Sequence, residues 1–469
     1  MSHENVGPQP DPRSQRYLIC ASCIAILAAN ITCAPFSTLV ALKMGATPFY
    51  IGALNAIHLG TFVLQLVTMG QVQRRGKKFV LILWNTLTLI AMVPLLFLPE
   101  IWKHYREWAL PSFMILVSIR HVTRTMSLTA WMPLLHDNTT AENRGRFFGR
   151  MRTYWKLILL IWLVSLALLA RDEAPWWLIR SAMAIGLLSQ GIYILCLLPA
   201  KERSPLGISE SMPKMISRPL RDHRFRWMLL YILCYGTALG LADPFRVVYL
   251  KSLGYPDSVL LLGPATLFLG GILTQFAWGK LADRIGNRGI FSISHVGMMV
   301  AIAAWLLVDN TTSGLALALI VLATIGIFNG GNSIVQTRYM FSIVQQDHQA
   351  AYITVATVLG MVSIGLAGLA GGALLTWFGD FEIHQGALHL NAYHLLFICS
   401  ALLFTLPHAI RTRLRQGKEV PSAKMIAFIT RPLRTMLGSM ATLVPPLDDI
   451  ESHDSRDTTD QRPEPPVQS

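Results

Sequence analysis

The sequence predicts an all-α membrane protein, with twelve transmembrane helices arranged as two pseudo-symmetric six-helix bundles. Three observations lead to this prediction: long apolar blocks, a one-sided distribution of basic residues, and an internal repeat. Of the 469 residues, 53% are hydrophobic and 14% are charged, whereas soluble domains carry about 25% charged residues. The apolar residues form blocks of about 20, the length at which a helix spans the hydrocarbon of a bilayer. These blocks lack the alternation of barrel strands, so we expect helices.

The apolar blocks number twelve, six in each half of the chain. The fourth contains Arg120 and Arg124, and the fifth is shorter than the others. The predicted spans are 17–42, 48–70, 79–98, 109–132, 154–170, 176–199, 227–250, 258–278, 289–308, 314–336, 352–378 and 392–410.

The basic residues predict the orientation. If the amino terminus is cytoplasmic, 30 of the 40 Lys and Arg residues fall on the cytoplasmic side, and five fall in the loops of the other side. This asymmetry follows the positive-inside rule and places both termini in the cytoplasm. We therefore interpret the net charge of +14 as a topology signal. The expected surroundings are a lipid bilayer, in the cell membrane (plasma or inner), and no nucleic acid is expected as a partner.

The two halves repeat one design. Three pairs of residues share an offset of 209 positions: Pro35 with Pro244, Gly45 with Gly254, and Gly70 with Gly279. The offset slips by one where Gly76 pairs with Gly286. Parallel repeats of this kind pack about an axis along the membrane normal, with a binding site between them near the midplane.

The repeat also predicts the domain organisation. A cytoplasmic amino-terminal tail (1–16) precedes the first bundle (17–199). A polar linker rich in Pro and basic residues (200–226) leads to the second bundle (227–412). Residues 413–469 are expected to form a cytoplasmic tail that is disordered in part, because Pro, Asp, Ser and Gln dominate its end.

A charged motif follows the eighth span. It reads Gly279-Lys-Leu-Ala-Asp-Arg-Ile-Gly-Asn-Arg288, which resembles the G-x-L-A-D-R-x-G-x-R signature of the major facilitator superfamily. The equivalent stretch of the first half, 70–78, is one residue shorter and lacks the aspartate. A basic stretch after the fourth span, 142–150, is similar to the R-G-R-x-x-G sequence of the same superfamily. The resemblance covers residues 16–412 and implies a secondary transporter of a small molecule that works by alternating access.

The motif residues are candidates for a gate. An aspartate near a helix amino terminus is stabilised by the helix dipole, and it can pair with an arginine in one conformational state and not in the other. The alternative interpretation is a charge that only sets topology. The predicted gate residues are Asp283, Arg284, Arg288, Arg124, Arg144 and Arg146.

Polar residues inside apolar spans are the candidates for a substrate cavity, because they are costly at membrane depth. In the superfamily that the chain resembles, the first, fourth, seventh and tenth helices line the cavity. The predicted cavity residues on these helices are Asn30, Arg120, Asn329, Asn332, Asp243 and Arg246. Cationic groups outnumber anionic groups among them, which suggests an anionic or carboxylate-bearing substrate. Packing and interhelical hydrogen bonds are the alternative roles.

Proton coupling would need a buried carboxylate or histidine. Asp243 is the carboxylate within the predicted spans, and His58 and His121 are the candidate histidines. Coupling to protons is one possibility, and a carrier without coupling is another.

Other function classes fit less well. No HExxH, paired carboxylates or nucleophile motif occurs, so we predict no enzyme, no cofactor and no metal, and we expect a monomer. A sensor or receptor with a transporter fold stays open as an alternative, as does an exporter of drugs or hydrophobic compounds.

Overall fold

The computed structural model describes residues 12–139, 144–202, 212–344, 349–379, 381–385 and 388–414. In the first half, helical segments occupy all six predicted spans. They are α1 (Pro12–Asn30), α2 (Phe36–Lys43), α3 (Pro48–Gly60), α4 (Leu64–Arg75), α5 (Lys77–Met92), α6 (Leu98–His104), α7 (Arg106–Asp137), α8 (Arg144–Ala170) and α9 (Trp176–Leu197). The fourth span is one continuous helix, α7, although it contains two arginines and two prolines.

The second half begins after a short linker helix. Its elements are α10 (Met212–Arg221, in the linker), α11 (His223–Ala242), α12 (Phe245–Ser252), α13 (Asp257–Ala303), α14 (Thr312–Ile343), α15 (Gln349–Trp377), β1 (Glu382–Gln385), β2 (Leu388–Asn391), α16 (Ala392–Leu403) and α17 (Thr405–Ile410). The strands form an antiparallel hairpin between the last two predicted spans, an element that the apolar pattern does not predict.

Membrane-spanning helices dominate the described residues. Nine of the helices there are long and apolar enough to cross a membrane. One of them, Asp257–Leu307, has 51 residues and is long enough for two crossings at about 1.5 Å per residue. Helical segments also occupy the first and fourth predicted spans, so all twelve predicted positions are helical. The chain is a multi-pass membrane protein, and the count of twelve crossings stays a prediction.

The predicted repeat is visible in the backbone. Gly45 and Gly254 both adopt a left-handed conformation, with φ of 82° and 83°. Gly76 and Gly286 do the same, with φ of 89° and 77°. Residues with side chains rarely adopt this conformation. Each pair therefore ends or bends the chain at the same place in its half.

The first and seventh spans are each broken near a proline. α1 ends at Asn30 and α2 begins after Pro35, while α11 ends at Ala242 and α12 begins after Pro244. A proline within a helix removes a hydrogen bond and clashes with the preceding turn. The breaks place polar residues of these two spans where backbone groups are free to bind side chains.

The charged motif differs from its predicted loop. Residues 279–288 are helical, and α13 continues through them with a single non-helical residue, Gly286. The eighth and ninth spans therefore extend beyond the apolar blocks and meet at a kink. α1 begins at Pro12, within the predicted amino-terminal tail 1–16. Of the predicted carboxy-terminal tail, residues 415–469 lie outside the described residues.

The apolar core is distributed unequally between the two ends of the molecule. We call the side with Pro12, Gly76 and Gly286 the terminus side, and the side with Gly45 and Gly254 the opposite side. At the opposite side, one buried cluster combines both halves, with Phe36 and Met44 from the first and Phe245 and Leu261 from the second. At the terminus side, a buried cluster that includes Leu18, Leu81 and Leu197 draws on the first half only. The halves are therefore sealed together at the opposite side.

Candidate functional site

The predicted cavity residue Arg120 lies at the break in the first span. Its side chain is fully buried, and its guanidinium donates a hydrogen bond of 2.6 Å to the carbonyl oxygen of Ala28 and another to the hydroxyl of Thr32. Because α1 ends two residues after Ala28, these acceptors are not used by a continuing helix. The Nε atom of Arg120 has no hydrogen-bond partner in the described part of the chain.

Two histidines and a cysteine surround the same break. The rings of His58 and His121 stack with centroids 4.0 Å apart. His121 Nε2 lies 3.0 Å from the carbonyl oxygen of Thr32, and His58 Nε2 lies 3.8 Å from the sulfur of Cys33. The structure therefore brings together two of the predicted proton carriers and Arg120, from α3 and α7, at the break that follows α1.

Arg124 lies one turn along α7 from Arg120, toward the terminus side. Its side chain is half-buried and makes no hydrogen bond or salt bridge with any residue that the structure describes. Arg120 donates its hydrogen bonds to neutral acceptors, and neither Arg120 nor Arg124 forms a salt bridge within the part of the chain that the structure describes. We call Arg120, Arg124, His58 and His121 the cationic cluster.

Asn30 is held by a hydrogen bond within the first half. It is buried, and its Oδ1 accepts a hydrogen bond of 3.1 Å from the indole nitrogen of Trp162 on α8. The contact joins α1 to α8 within the first half. The predicted role of Asn30 in binding substrate stays a prediction.

The predicted asparagines of the tenth span contact two tyrosines of the seventh. Tyr231 donates a hydrogen bond to Oδ1 of Asn332, and its hydroxyl lies 2.8 Å from Nε2 of His295. Tyr235, one turn further along α11, donates a hydrogen bond of 2.8 Å to Oδ1 of Asn329. These bonds tie α11, α13 and α14 together within the second half.

Tyr231, Tyr235 and His295 were not among the predicted site residues. Aromatic residues in an apolar span are consistent with simple packing, and a histidine in the ninth span lies on a helix that the superfamily does not place at the cavity. The i,i+4 spacing of the two tyrosines is the one signal that points to a shared face.

Replacing Tyr231 by phenylalanine should destabilise the protein. The change removes one hydroxyl and leaves Asn332 and His295, which are 1% and 0% exposed, without their shared partner. Unsatisfied buried groups cost about 1–3 kcal/mol. We expect a lower apparent Tm for Tyr231→Phe, measured on the purified protein. Tyr235→Phe is the control, because it loses one bond to the half-buried Asn329; equal melting of the two variants would contradict this account.

Asp243 and Arg246 form an ion pair at the break in the seventh span. The Asp243 side chain is 49% exposed, whereas that of Arg246 is 4% exposed and its Nε lacks a partner in the described residues. A carboxylate that faced lipid at this depth would be very costly. We therefore infer that Asp243 faces the cleft between the halves.

Among the predicted gate residues, Asp283 forms an ion pair with a neighbouring helix. Asp283 Oδ1 accepts a hydrogen bond of 2.7 Å from Arg338 on α14, which is a partner from the same half. Arg284 is exposed and Arg288 is half-buried. The side chains of Arg144 and Arg146 lie outside the described residues. A contact across the two halves through this motif stays a prediction.

The first half has a similar ion pair in place of the missing aspartate. Lys77, beside the degraded motif, lies 2.6 Å from Oδ2 of Asp137 at the end of α7. The charges are reversed relative to the pair in the second half. Both pairs join neighbouring helices at the terminus side without bridging the halves.

Close glycine contacts seal the two halves at the opposite side. A Cβ added to Gly52 on α3 would lie 2.6 Å from the carbonyl oxygen of Gly368 on α15, and one added to Gly372 would lie 2.7 Å from that of Pro48. Only glycine permits this approach of two helices. The glycines of the eleventh span therefore serve close packing, and the cationic cluster lies on the terminus side of this seal.

Comparison with known proteins identifies the family of the chain. The family profile described as Major Facilitator Superfamily matches residues 18–368. The chain belongs to the major facilitator superfamily. It is therefore a secondary transporter that binds a small-molecule substrate, and not an enzyme. No curated protein matches the chain in sequence.

Several solved structures share this superfamily fold. The nucleoside transporter NupG has 14% sequence identity and a TM-score of 0.64, with 86% of this chain and 99% of that chain covered. A D-xylose–proton symporter has 12% identity and a TM-score of 0.62, with 88% and 98% covered. A bacterial homologue of the iron transporter ferroportin, in an inward-facing state, has 14% identity and a TM-score of 0.63, with 86% and 98% covered. At these identities the likeness concerns the fold alone.

Proposed function

We propose that this transporter moves a small anionic organic solute, with a carboxylate or a similar group, by alternating access. One observation carries the proposal: the cationic cluster contains a fully buried arginine that binds neutral acceptors, and a second arginine whose side chain makes no hydrogen bond or salt bridge with the described residues. The cluster lies on the second and fourth spans, beside the break in the first.

Uncompensated positive charge at the cationic cluster favours an anionic ligand. Burying a cation without a counter-ion costs several kcal/mol in a protein, even after local relaxation. Neutral acceptors on Ala28 and Thr32 offset part of this cost for Arg120. An anion that binds to Arg124 would offset more, and Arg120 would add its field from one turn away. A neutral substrate would give no such compensation.

The conformation favours access from the terminus side. The shared apolar core and the glycine contacts close the opposite side, while the terminus-side core belongs to the first half alone. With the orientation that the positive-inside rule predicts, this corresponds to a state open to the cytoplasm. The similar ferroportin homologue is described as inward-facing, which supports the same interpretation.

Asp243 is our candidate for proton coupling. Protonation of its carboxylate would release the buried guanidinium of Arg246. His58 and His121, whose rings stack in the cationic cluster, are the alternative candidates.

A thermal-shift screen tests the substrate class. The purified full-length protein is heated with a panel of small carboxylates and with the matched neutral amides. A ligand at 100 times its Kd stabilises the folded state by about 2.7 kcal/mol. We expect some carboxylates to raise the apparent Tm and their amides to have no effect. Stabilisation by neutral compounds alone would exclude an anionic substrate.

A further inference from the structure

The opposite side carries a second contact between the halves, in addition to the glycine seal. The loop 171–175 of the first half meets the start of α13 in the second half. The backbone nitrogens of Asp257 and Ser258 each donate a hydrogen bond of 3.0 Å, to the carbonyl oxygens of Asp172 and Arg171 respectively. The two hydrogen bonds join segments that lie 85 to 87 positions apart along the chain.

These two hydrogen bonds supply the amino-terminal cap of α13. The first N–H groups of a helix have no partner within it, and Pro256, which precedes α13, provides no side-chain cap. The carbonyl groups that accept these hydrogen bonds come from the other half. Separation of the halves would therefore expose the start of α13 to solvent.

The Asp257 side chain adds a third bond across the same boundary. Its carboxylate is 4% exposed. Oδ2 accepts a hydrogen bond of 2.8 Å from the backbone nitrogen of Ala174, and Oδ1 lies 2.6 Å from Nζ of Lys251. Lys251 neutralises the buried charge from the same half, and Ala174 ties it to the other half.

The loop is held in position for this contact. Arg171 has φ of 51°, a left-handed conformation that is unfavourable for a residue with a side chain. Glu173 pairs with Lys43 at 2.6 Å, and this hydrogen bond lowers the pKa of Glu173 below its usual value. Lys43 and Lys251 are near-equivalent in the repeat, so a lysine from each half supports the boundary.

We propose that Asp257, Ser258 and the loop 171–174 form a latch that keeps the opposite side closed, and that Asp257 is the residue that sets its strength. The inference rests on the proposed alternating access, because the latch must break when this side opens. The repeat offset places Pro48 at the position equivalent to Asp257. A proline has no carboxylate, so the side chain of the latch comes from one half only.

Hydrogen exchange of the full-length protein, without any substrate, tests the latch. Mass spectrometry would follow deuterium uptake of residues 171–178, which comprise the loop 171–175 and the start of α9, and of α2, in wild type and in Asp257→Ala. We expect the exchange rate of both segments to rise about 10-fold in the variant. Asp257→Asn keeps an oxygen that can accept from Ala174, so a smaller rise is expected. Asp309→Ala is the control, because Asp309 binds Thr311 within its own loop and should leave 171–178 unchanged.

Faster exchange confined to the start of α13 would overturn the proposal, since it would show loss of a helix cap without opening. Unchanged exchange at 171–178 in both Asp257 variants would overturn it as well. If Asp257→Ala does not fold, Asp257→Asn decides alone. The readout needs no ligand, so a failed search for an anionic substrate would leave its result intact.

Discussion

Replacing Gly326 by alanine is expected to lower the apparent Tm by about 1–3 °C or more. Gly326 lies where α14 crosses α13, and an added Cβ would overlap the backbone carbonyl of Leu267. A backbone group cannot rotate away as a flexible side chain can. The two helices would therefore have to move apart, and overpacking of this kind costs about 1–3 kcal/mol or more.

Gly330→Ala is the matched control for this prediction. Gly330 lies one turn further along the same helix, and an added Cβ there would meet its nearest atoms, in Gly271, at an ordinary distance of 3.6 Å. Alanine is favoured over glycine in a helix by about 0.5–1 kcal/mol. Its Tm should therefore be unchanged or slightly higher. Similar melting of both variants would show that the helices are not as close as the structure places them.

Replacing Arg124 by glutamine is expected to weaken anion binding by about 100-fold. The loss of a charge-assisted contact to a buried anion costs about 2–5 kcal/mol. The side chain has no hydrogen bond or salt bridge with the described residues, so the Tm without ligand should not change. The measurement is titration calorimetry with the carboxylate that gives the largest shift in the thermal screen.

Arg120→Met should weaken binding of the same anion by about 30-fold. A charge about 8 Å from the anion contributes about 2 kcal/mol at an effective dielectric constant of about 20. The fold loses two hydrogen bonds, but it no longer buries a cation, so the two effects on stability offset each other. We therefore expect binding to fall while the Tm changes little.

Arg180→Gln is the control for both arginine variants. Arg180 lies on α9, and its guanidinium pairs with Glu100 at 2.5 Å in an exposed position. Its removal should leave anion affinity unchanged. If all three variants bound equally well, the cationic cluster would not be the binding site. If Arg180→Gln alone weakened binding, the site would lie on the opposite side.

Much of the fold could be predicted from local sequence. Apolar length requires helices in lipid, because each backbone group must be satisfied within its own segment. Gly45 and Gly254 adopt the same left-handed conformation in the two halves. A positive φ is a local property that glycine permits, so it can be predicted without knowledge of distant contacts. The kink at Gly286 and the pairing of β1 with β2 are not predicted, since hydropathy says nothing about how helices extend beyond the membrane.

The site was less predictable, because polar partners are chosen across distant segments. The free-energy cost of a charge in an apolar span identifies Arg120 as a candidate. Its acceptors, Ala28 and Thr32, depend on where α1 breaks. Asp283 was identified from its motif, but its partner Arg338 depends on how α13 packs on α14. Asp257 lies just outside the predicted span 258–278, where a carboxylate carries no signal of unusual cost.

Membrane-spanning segments and backbone conformation can therefore be predicted from the sequence, since each depends on neighbouring residues and on the lipid. The pairing of charged residues cannot be predicted in this way, because the partners lie on different segments. Arg120 binds acceptors at the break in α1, and Asp257 binds a loop of the other half. Both became visible once the helices were packed, since only packing brings an acceptor within reach of a buried donor.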